Sequence, residues 1–280
     1  MEDKITIEGR KFIRGIEKVA YATSKRKESA GKPISGICLS IGGGRIDFVA
    51  TDIYRLAIYS AKLVKDAVLK RRMYIVPVEA ARELANKISK DENLEITVQD
   101  NKITFNSPSY SLTCDLIQGK FPSYYKVIPR SFNIELKAPK GKLSEAIRNV
   151  VKERLYRSEE VGSYERIKII PQKNKLVVST LSSDQPLPTD YKSRVHSIVV
   201  ETLYNHFGFS DEDTISPHVY LNDMYVRQAL NTIEGAKVII KIINEYSPIA
   251  ITSPNPEDGY LALIMPINPD NPQEQLALVK

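Results

Sequence analysis

Long apolar runs are missing from this sequence: none of its 280 residues sit in a stretch near the roughly 18–20 that a membrane span needs. The first residues, "MEDKITIEGRKFIRG", contain no apolar core of a secretory signal. Cysteine is scarce. Cys38 and Cys114 lie in strand-like segments without a partner spacing, so buried free thiols in a reducing cytoplasm are expected, and a cytoplasmic location with them. Histidine is scarcer than a metal site needs. His196, His206 and His218 are scattered, with no paired-ligand spacing, and no metal or other cofactor is expected. Gly42-Gly43-Gly44 leads into a strand pattern rather than a helix, which reads as a hairpin turn and not a phosphate loop. Asp211-Glu212-Asp213 reads as a solvated loop. No nucleophile elbow or Cys/His pairing with family spacing occurs, so no enzyme is expected.

What is present is ordinary globular composition, 42% apolar and 26% charged, in a chain long enough for about two domains. The net charge of +6 is basic enough to suit nucleic acid if the excess collects on one face.

One arrangement recurs four times. Segments 36–52, 94–108, 166–182 and 238–254 alternate apolar and polar residues, break at a polar or glycine turn, and alternate again. That predicts β-hairpins with one buried face. Before each hairpin lies a helical stripe, over 9–23, from Pro77 to Ile88, over 142–156 and over 222–234. Pro77 suits a first helical position, Asn222 an N-cap and Gly235 a stop. Helix then hairpin, four times, is an internal repeat. It predicts an α+β protein of two domains, each of two helix-plus-hairpin units with the helices on one face of antiparallel sheets. The expected boundaries are 1–129, 130–268 and a tail over 269–280.

The helices carry cations beside their apolar stripes. Arg10, Arg14 and Lys18 fall at i, i+4 and i+8, with Lys11 beside them; the later helices carry Arg82 and Lys87, Arg148 and Lys152, and Arg227. Lys25, Arg26 and Lys27 follow the first helix. Glutamates interleave, yet the repetition predicts a shared cationic surface. Its natural partner is duplex DNA, held by sequence-independent phosphate contacts.

Five stretches, "FVATDIYRLA" (48–57), "GKFPSYYKVIP" (119–129), "YVRQALNTI" (225–233), "YSPIAIT" (246–252) and "YLALIMPI" (260–267), together resemble the sliding clamp, the β subunit of bacterial DNA polymerase III. The resemblance maps onto the family's second and third domains. It implies the DNA clamp fold and a processivity factor that encircles DNA, with polymerase and clamp-loader peptides as partners. A standard clamp closes six domains into a ring as a dimer of three-domain chains, so a homotrimer is expected here. In it, helix and hairpin 78–107 would meet a neighbour's helix 143–155 and a strand near 194–201. The alternative is a clamp-like adaptor that binds partner peptides without enclosing DNA.

The family's peptide pocket lies between these domains. Carried over by position, the resemblance implies one wall of Ile34, Thr51, Arg55, Leu56, Pro122, Lys126 and Val127. The other wall is Pro248, Leu263, Ile264, Met265, Pro266 and Ile267. Ile53 stands where the family usually has glycine, which predicts a different turn and a narrower slot. Lys126 replaces an arginine and loses its fork. Asn268 stands where the family usually ends on a basic residue, and Lys152 and Glu153 fall where its subunit contact is often apolar.

Partners of bacterial clamps dock through peptides resembling Gln-Leu-x-Leu-Phe, and this chain ends Gln275-Leu276-Ala277-Leu278-Val279. Behind a linker with Pro269 and Pro272, that motif is expected to act as a weak plug of the chain's own pocket or a neighbour's.

Overall fold

The computed structural model describes residues 3–66, 70–155, 166–180, 197–207, 217–268 and 277. It divides into two units. The first is Met1–Val127 with Glu257–Leu261; the second is Ile128–Pro256 with, among the described residues, 262–268.

In the first unit the elements run β1 (Asp3–Glu8), α1 (Gly9–Val19), β2 (Gly36–Gly42), β3 (Arg45–Thr51), β4 (Arg55–Lys62), β5 (Lys65–Asp66), β6 (Arg72–Pro77), α2 (Val78–Lys87), β7 (Asn93–Gln99), β8 (Lys102–Asn106) and β9 (Ser111–Asp115). They form two antiparallel sheets, β5-β1-β7-β8-β9 and β6-β2-β3-β4. The strand leading into each helix pairs with the other repeat's hairpin. β1 runs beside β7, with Ile5 opposite Ile96, and β6 runs beside β2, with Ile75 opposite Cys38. Neither repeat is a closed unit, because each needs the other to complete its sheet.

The second unit repeats the plan with β10 (Ile134–Pro139), α3 (Lys140–Leu155), β11 (Arg166–Gln172), β12 (Lys175–Thr180), β13 (Ser197–Glu201), β14 (Tyr204–Phe207), β15 (Val219–Asn222), α4 (Asp223–Thr232), β16 (Lys237–Ile242) and β17 (Ile249–Thr252). Its sheets are β14-β10-β16-β17 and β13-β12-β11-β15. Again the lead strands are exchanged, β10 pairing with β16 and β15 with β11. A last strand, β18 (Tyr260–Ile264), contributes its first residues to the first unit and its last to the second.

Local chemistry explains the hairpins. Gly43 and Gly44 turn with φ of 67° and 72° between the paired Gly42 and Arg45, the doubly left-handed geometry that suits a two-residue loop on right-twisted strands. Asp100 and Asn174, at φ 52° and 63°, each supply one left-handed residue to the β7–β8 and β11–β12 turns, since short polar side chains tolerate that region. Asn222 caps α4 as expected, its side chain accepting from the Met224 N–H at 3.0 Å. Pro77 departs from expectation: it is the N-cap of α2, and Val78 is the first helical residue.

The first core centres on Phe12 of α1. Its ring meets Phe48 of β3 and Phe105 of β8, both at 5.5 Å and edge-on, so one side chain ties the helix to both sheets. Each unit has two antiparallel sheets, in keeping with the expected α+β plan, because four lead strands join the four hairpins. The hairpin 93–106 is extended by a further strand, since β9 covers β8, with Phe105 opposite Leu112. Both cysteines are free thiols, and burial pushes that of Cys38 up to about 12, which leaves it inert at neutral pH.

Candidate functional site

Of the first expected partner-binding set, Thr51, Arg55 and Leu56 lie at the turn between β3 and β4. Thr51 Oγ1 donates to the Arg55 carbonyl at 2.6 Å and accepts from the Ile53 N–H at 3.0 Å. Asp52 Oδ1 accepts from the N–H groups of Tyr54 and Arg55, both at 3.1 Å. The turn is thus closed by its own side chains. Ile53 sits at φ +74°, a region costly for a β-branched residue. Here the family's usual glycine would carry no such penalty.

Arg55 is buried. Its Nε lies 3.0 Å from Asp52 Oδ2, its Nη2 donates to the Tyr21 carbonyl at 2.9 Å, and its guanidinium stacks over the Tyr21 ring at 5.3 Å. Burial outweighs these partners at Asp52 and holds its carboxyl above the usual range. Burial likewise raises the Tyr21 phenol to about 12, against the opposing hydrogen bond to Tyr260. That bond joins the two hydroxyls at 2.8 Å.

Thr51 and Leu56 are buried, and Ile34 is half-buried in the 3-10 turn Pro33–Ser35. Pro122 and Val127 are half-buried, and Lys126 is exposed at the end of the 3-10 turn Tyr124–Lys126. Leu56, with only 2% of its surface exposed, packs in the core.

The second set belongs to the second unit. Leu263 and Ile264 end β18; Met265, Pro266 and Ile267 continue it, all five buried, and Pro248 is half-buried before β17. The Ile267 N–H donates to the Tyr220 carbonyl of β15 at 2.8 Å, which fixes this segment against its own unit.

The cationic helices are less uniform than their spacing predicts. Arg10 pairs with Asp91 at 2.7 Å and Lys11 with Glu8 at 2.7 Å. Arg14 Nη2 reaches Asp258 Oδ1 at 2.7 Å. Lys18 is buried to 3% exposure, reaches the same oxygen at 3.0 Å, and lies over the Tyr260 ring at 5.0 Å. Lys18 therefore faces a carboxylate and not solvent, a correction to the expected stripe. Arg82 and Lys87 of α2 and Arg148 and Lys152 of α3 are exposed, while Arg227 is half-buried and pairs with Asp223 at 2.8 Å. Sequence reasoning missed Asp258, whose only signal is the acidic pair Glu257-Asp258 just before the clamp-like stretch 260–267.

Gln275, Leu276 and Leu278 of the tail lie outside the described residues, as do Asp211–Asp213. Among the described residues no group of His, Cys, Asp or Glu could hold a metal ion, and no helix is long and apolar enough to cross a membrane.

Residues 6–123 match the family model of the DNA polymerase III beta subunit, central domain. The chain is similar to sliding clamps along nearly its whole length. It is 26% identical over 147 residues to "Beta sliding clamp homolog GriR" of Streptomyces muensis, covering 52% of this chain and 39% of that protein. It is 23% identical over 269 residues to the beta sliding clamp of Staphylococcus aureus, covering 95% of this chain and 64% of the relative. A crystal structure of a Pseudomonas aeruginosa sliding clamp bound to griselimycin superposes with a TM-score of 0.77 at 20% identity, over 95% of this chain and 65% of that one. At that identity the likeness establishes the clamp fold, α+β with antiparallel sheets. The chain spans two thirds or less of the length of these relatives.

Proposed function

We propose that this chain is a DNA sliding clamp that encircles duplex DNA and tethers a DNA polymerase, its partners and its loader docking by short peptides. The observation that carries the reading is the duplicated, lead-strand-exchanged unit of a clamp, with cations recurring on the helices of both halves. Arg10, Lys11 and Arg14 on α1, Arg82 and Lys87 on α2, Arg148 and Lys152 on α3, and Arg227 on α4 would meet phosphates without reading sequence. Such contacts hold by charge neutralisation, so the ring slides instead of docking at a site.

Two units per chain and six per ring give a homotrimer. The edges that would meet are β9 with α2 on one chain and β13 with α3 on the next. β13 ends its sheet among the described residues and leaves Val199 exposed, with Leu203 exposed just beyond it. Partner peptides would dock on Ile34, Pro122, Lys126 and Val127 beside the Thr51–Arg55 turn; a double-mutant cycle between Lys126 and Met265 tests whether the second set serves the same peptide. The griselimycin-bound relative supports the presence of a ligand site in the family. The experiment for the whole reading is retention on nicked circular DNA and its release on linearisation.

A second reading, the non-encircling adaptor, is favoured by the ion pairing of α1. Three of its cations already face Asp91, Glu8 and Asp258. Linearisation separates the two readings, because an adaptor has no topological hold to lose.

A further inference from the structure

The basic run Lys25-Arg26-Lys27 is not absorbed by the clamp reading. It lines a cavity of about 570 Å³ that lies wholly in the first unit, opposite the start of α2. Arg82 lines the same cavity from α2, and Glu79 is the one carboxylate among the lining residues. Four cations against one acid make an anion-attracting space.

The wall that carries the cations is pre-formed. The Ser24 N–H donates to the Ile34 carbonyl at 2.8 Å, closing the loop at its base. Within the loop, Ser29 donates to Arg26 at 3.0 Å and Ala30 to Lys27 at 3.1 Å through backbone N–H groups. Thr23 Oγ1 donates to the Ala20 carbonyl at 3.1 Å, and Arg82 Nη2 reaches that carbonyl at 3.2 Å, joining α2 to the loop's root. The Arg26 guanidinium lies 4.7 Å from the centre of the Tyr54 ring, which fixes its plane. A site whose cations are held on a braced loop loses little freedom on binding.

Pro77, Val78, Ala30 and Ile117 give the lining an apolar part, beside Gly31 and the hydroxyl residues Thr23, Ser24 and Ser35. The volume falls within the roughly 300–1,000 Å³ of small-molecule sites. A phosphate alone would leave the apolar part unused, whereas a planar base beside a phosphate would use both.

From the cation cluster and the apolar floor within one braced cavity, we infer that the first unit holds a nucleotide 5′-phosphate. The phosphate lies among Lys25, Lys27 and Arg82, and the base against Pro77, Val78 and Ile117. The same chemistry is offered by a free mononucleotide and by the end of a single strand. The inference goes beyond the clamp reading and shares only Arg82 with it.

Isothermal titration calorimetry on the full chain at about 50 mM salt, without duplex DNA, tests this. AMP is expected to bind at least about tenfold more tightly than adenosine. Lys25→Gln with Lys27→Gln, and separately Arg82→Gln, are expected to weaken AMP about tenfold while Arg82→Lys retains most of the affinity. All three positions are exposed, so circular dichroism is expected to be unchanged. If a single-stranded oligonucleotide with a 5′-phosphate displaces AMP, the site serves strand ends; if it does not, the site serves free nucleotide. AMP no tighter than adenosine, or bound equally by the glutamine variants, overturns the inference. Failure of DNA retention with AMP binding intact would instead sink the clamp reading and leave this one standing.

Discussion

Asp258 Oδ1 lies 2.7 Å from Arg14 Nη2, and the same oxygen lies 3.0 Å from Lys18 Nζ. One carboxylate thus holds two cations of α1, and Lys18 and Asp258 are only 3% and 4% exposed. Lys18 and Asp258 form a pair buried from water while Arg14 keeps 36% of its side chain exposed, so removing the carboxylate takes the shared acceptor from both cations. Asp258→Ala is expected to destabilise the protein by about 3–5 kcal/mol, the range for breaking a buried pair. Urea denaturation checks it, and a loss under about 1 kcal/mol would mean that water already reaches Lys18.

The left-handed Ile53 gives a second expectation. A residue that tolerates positive φ should relieve strain there, so Ile53→Asn is expected to stabilise the chain by up to about 1 kcal/mol. Ile53→Val keeps the β-branch and is expected to gain nothing. A clear loss of stability in the asparagine variant, read from the denaturation midpoint, would mean that the isoleucine side chain contributes more than its backbone costs.

Tyr21 predicts an alkaline effect. Its phenol is raised to about 12 from the ordinary 10.0, so the folded state keeps a proton that the unfolded state releases. The contribution is fully present below pH 10 and is lost as pH rises from 10 to about 12. Tyr21→Phe is expected to flatten that part of the stability profile and to remove one late-titrating phenol from the ultraviolet absorbance titration. An unchanged titration would place Tyr21 in solvent.

For partner binding, the exposed Lys126 is the informative position, because Leu56→Ala would cost about 2–5 kcal/mol of core stability first. Lys126→Ala is expected to weaken a Gln-Leu-x-Leu-Phe peptide by about 1–3 kcal/mol with the melting temperature unchanged. Equal affinity in fluorescence anisotropy would move the peptide away from this turn.

These particulars show what a sequence can reveal. The hairpin at Gly43-Gly44 and the cap at Asn222 were legible because their causes are local: a turn needing two positive φ values, and a side chain reaching two residues on. The lead strands were not. β1, β10 and β15 are short alternations attached to helices, and each acquires a partner only from the other repeat of its unit. Lys18 was misread for the same reason, since its helical position is correct and the carboxylate that buries it arrives from the far end of the chain. The Thr51–Arg55 turn was singled out by resemblance; the missing glycine gave the expectation of a different turn, and the strain of a left-handed isoleucine at Ile53 emerges only in the structure.

The central claim is a ring, and a ring is tested most directly by topology. The chain would be assembled on nicked circular duplex DNA, passed through gel filtration at moderate salt, and compared before and after cutting the circle once. The account predicts co-elution with the intact circle and loss of nearly all bound protein on linearisation, with three chains per complex by light scattering. Equal retention on circular and linear DNA, or a single chain mass at high micromolar concentration, would contradict it.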